Sequence, residues 1–523
     1  MALLSISSVF SAGQISGYRL KLLPVESETP LQVGTRKQLL IDNYLLCDYW
    51  RVRRVQEQVR KHPKNPILEA DKPWEQAAMN TYGVSATSAI FDFREGVYKL
   101  WYNIHQGSGG VVTGYAISKD GISWTKPDLG LVEFGGSKHN NVCRAEPFGT
   151  PLMGSLQLIC DPKQDSPDRR YKAIGLEPRH EDGSRYGGWL GIGFSSDGTT
   201  WHVTEDGLRS GSGGGNPSCL WEERLGRYVL FHRQLIENAL PSFRHRYIVR
   251  QESPDLKTWS GRQTVFNPGM NPAWPEVESM MVFVHEGVYF GLANMLEMET
   301  RGEVELHLMT SRDGCRWEYP FPREAFIPRG PRGDFDDMLT WFAQTVVTAD
   351  DMRFYYSGAR YPHSHPVPPI VDDGGSRYFL PGNDNKGRVE YRPIKIGLAT
   401  VPLDRLIGIR ADEPVGAILT RPLLIEGDEL YLNADVDREL RVEVVDPVAR
   451  IVDSGRKDGI GHYIAGQEEV LQGFSMKDCE AVTGDSLSHR VRWKGGPIGK
   501  LKGKTVRLRI LARMATIYAF QIK

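Results

Sequence analysis

The chain of 523 residues carries 64 Lys and Arg against 65 Asp and Glu, a net charge of −1, so no global electrostatic pull directs it to nucleic acid or an anionic membrane. It is too long for one ordinary core, which predicts one large domain and at least one smaller one, and no apolar run is long enough to span a bilayer. Its 55 Gly and 32 Pro suit many short strands joined by turns.

Residues 1–30 read as a leader or N-terminal extension. Met1 to Gly13 is mildly apolar and ends near Ser-Ala-Gly, but it lacks the basic start of a secretory signal, so the cytoplasm is favoured over secretion. Arg36 to Cys47 is an apolar strand, expected to complete the last sheet of a repeat from its N-terminal side and so remove a free edge.

That repeat is written four times. It reads Ser118-Lys119-Asp120-Gly121-Ile122-Ser123-Trp124, then Ser195 to Trp201, Ser253 to Trp259 and Ser311 to Trp317. A degraded fifth copy is expected around Asp404, between Thr400 and Ile409. Asp-Gly between apolar runs is a tight-turn signal, with Gly supplying positive φ and Asp bonding nearby amides. The tryptophan three residues later is placed to anchor neighbouring sheets.

Each unit repeats one strand order. First strands are expected at 84–91, 152–160, 217–221, 279–285 and 341–348. A Gly-x-Tyr-like turn and a second strand follow, at Tyr98, Tyr171, Tyr228, Tyr289 and Phe354. A third strand leads into the Asp-Gly turn, and Trp opens a fourth. Five such groups predict an all-β fold, a five-bladed β-propeller over residues 31–410. Beyond Ala411 the pattern becomes strict alternation (Leu440, Val442, Val444 with Arg441, Glu443; Val506, Leu508, Ile510 with Arg507, Arg509), which predicts a C-terminal β-sandwich over 411–523 with its arginines on a solvated face. The six cysteines show neither CxxC nor His-rich spacing and read as free thiols, with no metal and no cofactor implied.

In a propeller, the loops before first strands and those joining second to third strands converge at one mouth of the channel. The first set contributes Trp74, Glu75, Tyr82, Glu146, Asn216, Glu276, Glu278, and Asp334 to Asp337. The second contributes His105, Arg179, His180, Arg233, Asn294, Glu297, Arg360 and His363. Carboxylates with Arg, His and aromatics between them suit a carbohydrate: aromatic rings stack on sugar faces, Arg and Asn bond hydroxyls, and paired carboxylates move protons. A sugar is therefore the expected partner, with no nucleic acid and no membrane; oligomeric state is left open. The aspartates of the turns (Asp120, Asp197, Asp255, Asp313) are read as structural.

Several segments carry a family resemblance: Gln38 to Asp42, Asn65 to Leu68 followed by Trp74-Glu75, Tyr98 to Tyr102, Tyr115 to Ile117, Lys126-Pro127, Asn140 to Val142, Gln472 to Ser475, and Asp478-Cys479. The chain resembles the five-bladed β-propeller glycoside hydrolases, the group of arabinanases, fructosidases and mannoside phosphorylases, and looks closest to bacterial fructosidase-like members. The resemblance implies three carboxylates around the channel mouth. The fructosidase signature Trp-Met-Asn-Asp-Pro-Asn is absent, and the first loop offers Glu75 and Tyr82 instead. The expected function is an exo-acting glycoside hydrolase with Glu278 as general acid, its pKa raised by burial and neighbouring carboxylates, and Asp336 or Glu75 as base or nucleophile. Trp74, Tyr82, Glu146, Arg179, His180, Arg233, Glu276 and His363 would contact the sugar. A non-catalytic carbohydrate-binding propeller and a sugar phosphorylase are the alternatives.

Overall fold

A computed structural model describes residues 14–15, 18–22, 29–76, 83–105, 110–159, 161, 166–177, 189–209, 216–237, 244–268, 274, 276–297, 302–361, 363, 393–453 and 464–523. Among the described residues almost all regular structure is strand, with one four-residue α-helix, Pro73–Gln76, and 3-10 turns at Pro167–Arg169 and Ile498–Leu501. The chain divides into two compact units, Gln58–Val401 and a second made of Met1–Glu57 with Pro402–Lys523.

In the first unit the described residues form five antiparallel meanders in chain order. The first comprises Val84–Asp92, Val97–His105 and Val111–Ser118. The second runs Gly154–Leu158, Tyr171–Leu176, Trp189–Ser195 and Thr200–Arg209. The third is Ser218–Glu222, Arg227–Glu237, Arg244–Ser253 and Gln263–Phe266. The fourth is Glu276–His285, Val288–Leu296 and Val304–Ser311, and the fifth Leu339–Val347, Asp351–Ala359 and Lys395–Pro402. Each first strand touches the first strand of the next meander, and the fifth touches the first.

Period-two alternation gives every strand side chains on both faces of its sheet, and here each face finds a neighbour. Trp101, Tyr115, Leu156, Tyr171 and Trp201 form one core between the first and second meanders. Ile174, Ile192, Tyr228 and Leu230 join the second to the third, and Phe231, Val277, Tyr289 and Met309 the third to the fourth. Leu296, Val304, Leu339 and Trp341 join the fourth to the fifth, and Val84, Tyr102, Tyr355 and Leu398 return from the fifth to the first.

The tyrosine after each Gly-x turn reaches the preceding meander. Tyr171 OH donates to Asp92 at 2.5 Å, where Lys99 also binds at 3.0 Å. Tyr228 OH donates to Asp161 at 2.7 Å beside Lys172, and Tyr289 donates to Glu222 beside Arg224. Burial would raise the pKa of Asp92, but the Tyr171, Lys99 and Arg170 contacts bring it down to about 2. At the fourth junction Phe354 takes the tyrosine's place and packs on Phe326 and Phe283 instead.

The four intact turns are built alike. Asp197 Oδ1 accepts the backbone N–H groups of Thr199 and Thr200 at 2.7 and 2.9 Å, and Ser195 Oγ accepts that of Gly198 at 2.8 Å. The same bonds hold Asp120, Asp255 and Asp313. Leu256 stands where the other copies have Gly and takes the same left-handed conformation, at φ +65°. Trp201 is fully buried, whereas Trp317, expected to be buried too, is only partly so. The fourth strand is real in the second and third meanders but shrinks to single bridges, Ile117 with Thr125 and Thr310 with Glu318, in the first and fourth. Asp404, in the degraded copy, instead binds Lys37 at 2.7 Å.

Three expectations change. Arg60–Lys61 completes the fifth sheet, pairing with Thr400 and Ala399, whereas Gln38–Leu39, from the segment expected to do so, pairs with Phe520 and Ala519. Residues 31–57 thus belong with the C-terminal strands: Leu46–Trp50 pairs with Gly416–Thr420, and Val52–Gln56 with Ile407–Ala411. Among the described residues that second unit is one connected network of thirteen strands, with an apolar core that includes Leu40, Ile418, Val442, Leu508 and Phe520. Its arginines are not merely solvated: Arg509 stands opposite Glu443, binds it at 2.5 Å and reaches Glu468 as well. Cys143, Cys315 and Cys479 are free thiols.

Truncation of the buried anchor, Trp201→Ala, is expected to cost about 3–5 kcal/mol in a urea melt. Loss of a turn carboxylate, Asp197→Ala, should cost about 0.5–2 kcal/mol, and Trp317→Ala less than Trp201→Ala. Equal losses at Trp201 and Trp317 would contradict the difference in their burial.

Candidate functional site

The largest gathering of charge around the predicted carboxylates lies where the fourth meander begins. Glu276 and Glu278 are both buried, at 8% and 6% exposure. A register shift between Val277 and Met280 bulges the strand there. Arg246 binds both carboxylates, Glu276 through Nη1 and Glu278 Oε2 through Nε at 3.1 Å. Arg233 binds Glu278 Oε1, and His363 Nε2 lies 3.7 Å from the same oxygen. Arg246 stands opposite Leu235 on the neighbouring strand, one diagonal step from Arg233, so the two guanidinium groups rise from one face of the third meander.

The second bulge of the site falls between Trp341 and Gln344. There Phe342 sits at φ +50°, a conformation costly for an aromatic residue and worth keeping only where the surroundings enforce it. Asn294 enforces it. Its Oδ1 accepts the Phe342 N–H at 2.8 Å, while its Nδ2 binds Ser279 Oγ at 2.6 Å, so one fully buried amide ties the two bulges together. Trp341 stacks on Phe342 and meets the His363 ring edge-on at 5.4 Å. Among the described residues, Trp341 Nε1 and His363 Nδ1 are buried with no hydrogen-bond partner.

Glu278 does not have the raised pKa that an acid in waiting requires. Burial does push it up, but His363, Arg233 and Arg246 outweigh that push and hold it at about 2, against an ordinary value of 4.5. The neighbouring carboxylate that was expected to crowd it is itself neutralised by Arg246.

Glu75 and Asp336 do not join this cluster; each sits in a separate ionic nest of matching design. Glu75 Oε1 accepts from Tyr102 OH at 2.7 Å, and Oε2 from Lys126 at 2.6 Å and from the N–H groups of Asp71 and Lys72, both at 3.1 Å. Asn141 Nδ2 donates to Tyr102 OH, and Trp74 Nε1 to Asn141 Oδ1 at 2.9 Å. Asp336 Oδ2 accepts from Lys61 at 2.6 Å and Tyr356 OH at 2.8 Å, and Asn65 Nδ2 donates to Tyr356 OH at 3.3 Å. In both nests burial leads in pushing the tyrosine pKa well up, reinforced by the carboxylate. Among the described residues no hydrogen bond or ion pair links Glu75, Asp336 and Glu278 to one another.

Glu146 pairs with Arg144 at 2.7 Å and lines a separate cavity of about 210 Å³ with Phe148, Met153 and Glu177. A larger cavity, about 330 Å³, opens beside Asp92, Asp161 and Lys172, whose charges are committed to the tyrosine clamps. His105 binds Ser85 Oγ at 2.8 Å, and burial lowers its pKa to about 4. Tyr82, Arg179 and His180 lie outside the described residues. Arg246 is the residue that sequence reasoning missed. It sits inside a strand rather than a loop, and its only signal was alternation with Tyr247 and Ile248, in which a charged residue marks one face.

No protein-family model matches the sequence, and no curated protein matches it significantly. Solved structures do show partial likeness. A β-1,2-mannobiose phosphorylase from Listeria innocua aligns at TM-score 0.43 and 10% identity over 67% of this chain and 98% of its own. A protein described as a glycoside hydrolase aligns at 0.41 and 11%, over 68% and 92%. An α-L-arabinofuranosidase from Podospora anserina, in complex with cellotriose, aligns at 0.38 and 12%, over 67% and 96%.

Removing one partner of a buried ion pair strands the other charge, at a cost of about 3–5 kcal/mol. Lys126→Met and Lys61→Met are therefore expected to destabilise by that order in urea melts, and an unchanged midpoint in both would contradict the structural role of the two nests. Glu278 gives a pH signature. Its folded pKa lies below the unfolded one, so its contribution to stability is present above about pH 4.5 and is lost as pH falls towards 2. The acid limb of a stability–pH curve should accordingly flatten in Glu278→Gln.

Proposed function

We propose that residues 58–401 form a five-bladed β-propeller and that the chain is a glycoside hydrolase acting on a terminal sugar at the start of the fourth meander. The propeller reading is supported by the five shared cores and by first strands that touch in a closed cycle. The remaining strands, with residues 31–57 added to 411–523, are taken as a β-sandwich.

The observation that carries the functional reading is the pair of buried carboxylates, Glu276 and Glu278, bridged by one guanidinium group. Glycosidic cleavage needs one carboxyl group to give a proton to the leaving oxygen as the C–O bond breaks. A second takes the proton of the water that adds to the anomeric carbon. Glu278 remains the proposed acid. Glu276 replaces Asp336 and Glu75 as its partner, because it shares Arg246 with Glu278 whereas the other two stand in lysine–tyrosine nests of their own. Buried polar atoms without a partner, on Asn103, Gln157, Asn216, Trp341 and His363, suit a ligand rich in hydroxyl groups.

A screen of aryl glycosides and oligosaccharides tests the reading. Glu276→Gln and Glu278→Gln should each lower kcat by about 100-fold or more in the molecules that remain folded, and each should also lower the melting temperature, because it leaves a buried arginine without its carboxylate. Undiminished turnover in both variants would sink the assignment. Glycan binding without product by mass spectrometry would favour a carbohydrate-binding propeller, and product formed only with phosphate would favour a phosphorylase.

A further inference from the structure

The acid assigned above starts in the wrong protonation state. Four charged groups meet here: Arg233 and Arg246 from two adjacent strands of the third meander, Glu276 on the same strand as Glu278, and Glu278 itself. His363 approaches from beyond the strand Asp351–Ala359. The strands Val288–Leu296 and Leu339–Val347 bring the neutral Asn294 and Trp341.

We propose that the terminal sugar is a uronic acid, and that its carboxylate takes the place of Glu278 between Arg233 and Arg246. This rests on the glycosidase reading above and names its substrate class. A guanidinium fork matches a planar carboxylate in shape and charge, and Glu278 already demonstrates the fit. The exchange replaces one single negative charge by another. A neutral sugar could not compete for the two arginines. Among the described residues Trp341 Nε1 has no acceptor, and the His363 ring meets the Trp341 ring edge-on.

The exchange also arms the acid. Once His363 and the guanidinium groups all turn to the ligand, burial dominates at Glu278 and favours its neutral form. Binding therefore takes up one proton, and that proton is the one the leaving oxygen needs. A substrate lacking the carboxylate leaves Glu278 ionised, so recognition and proton donation are coupled in one step.

Calorimetry on the full chain, in two buffers of different ionisation enthalpy, tests this with D-glucuronate, D-galacturonate, D-glucose, D-galactose and inorganic phosphate. At least one uronate should bind about 100-fold more tightly than its neutral counterpart, with one proton drawn from the buffer. Its affinity should fall about tenfold per pH unit over roughly pH 5–7. In Glu278→Gln the uronate should still bind, with no proton uptake and a flat pH profile. Equal affinity for uronate and neutral hexose overturns the proposal, as does failure of both uronates to bind, tighter binding of phosphate, or a flat profile in the unaltered protein. Cleavage of neutral aryl glycosides with uronates inert would sink this inference and leave the hydrolase reading standing. Uronate binding with proton uptake but no cleavage of any glycoside would do the reverse.

Discussion

A sheet with apolar side chains on both faces cannot stop at one neighbour, and that constraint organises residues 58–401. Each meander needs a second sheet on either side, and a linear stack would leave its two end faces wet. The five cores avoid this by closing on themselves, with Val84 and Tyr102 of the first meander packed against Tyr355 and Leu398 of the fifth. Hydrogen bonding meets the same demand at the sheet edge, where Arg60–Lys61 pairs with Ala399 and Thr400 from the far end of the unit. The tyrosine clamps add directionality to contacts that hydrophobic burial alone would leave free to slide.

Much of this was legible because it is local. The Ser-x-Asp turn is satisfied by bonds across two or three residues, so its sequence states its geometry. The first strands and the Gly-x-Tyr starts of second strands fall where the repeats put them. Leu256 shows the limit of the pattern, holding a glycine's conformation without being one. What escaped was long-range. Lys126 lies 51 residues from Glu75, and Lys61 lies 275 from Asp336. Without those partners a buried, saturated carboxylate beside an aromatic reads like a pocket acid. The assignment of 31–57 failed for the same reason, since an apolar strand does not say which edge it will join.

The same distinction separates the two nests from the cluster at Glu278. In the nests each carboxylate meets a lysine and a tyrosine in one fixed arrangement, which suits a strut. At Glu278 two arginines, a histidine and a second carboxylate share contacts that can be redistributed. Asn294 holds both flanking bulges, so such a redistribution can proceed in side chains while the backbone stays in place. Keeping Phe342 in a left-handed conformation is the cost of that rigidity.

The pairing of residues 31–57 with strands beyond 402 has a consequence for how the protein is made. On the ribosome residues 31–57 emerge about 350 residues or more before their partners, Ile407–Ala411, Gly416–Thr420 and Thr505–Ile522. The intervening unit contains its own cores and can close before those partners exist. During that interval Leu46–Trp50, with its exposed Tyr49 and Trp50, is an unpaired apolar edge of the sort that recruits other chains. The exposure ends only when the strands beyond 402 give residues 31–57 their place.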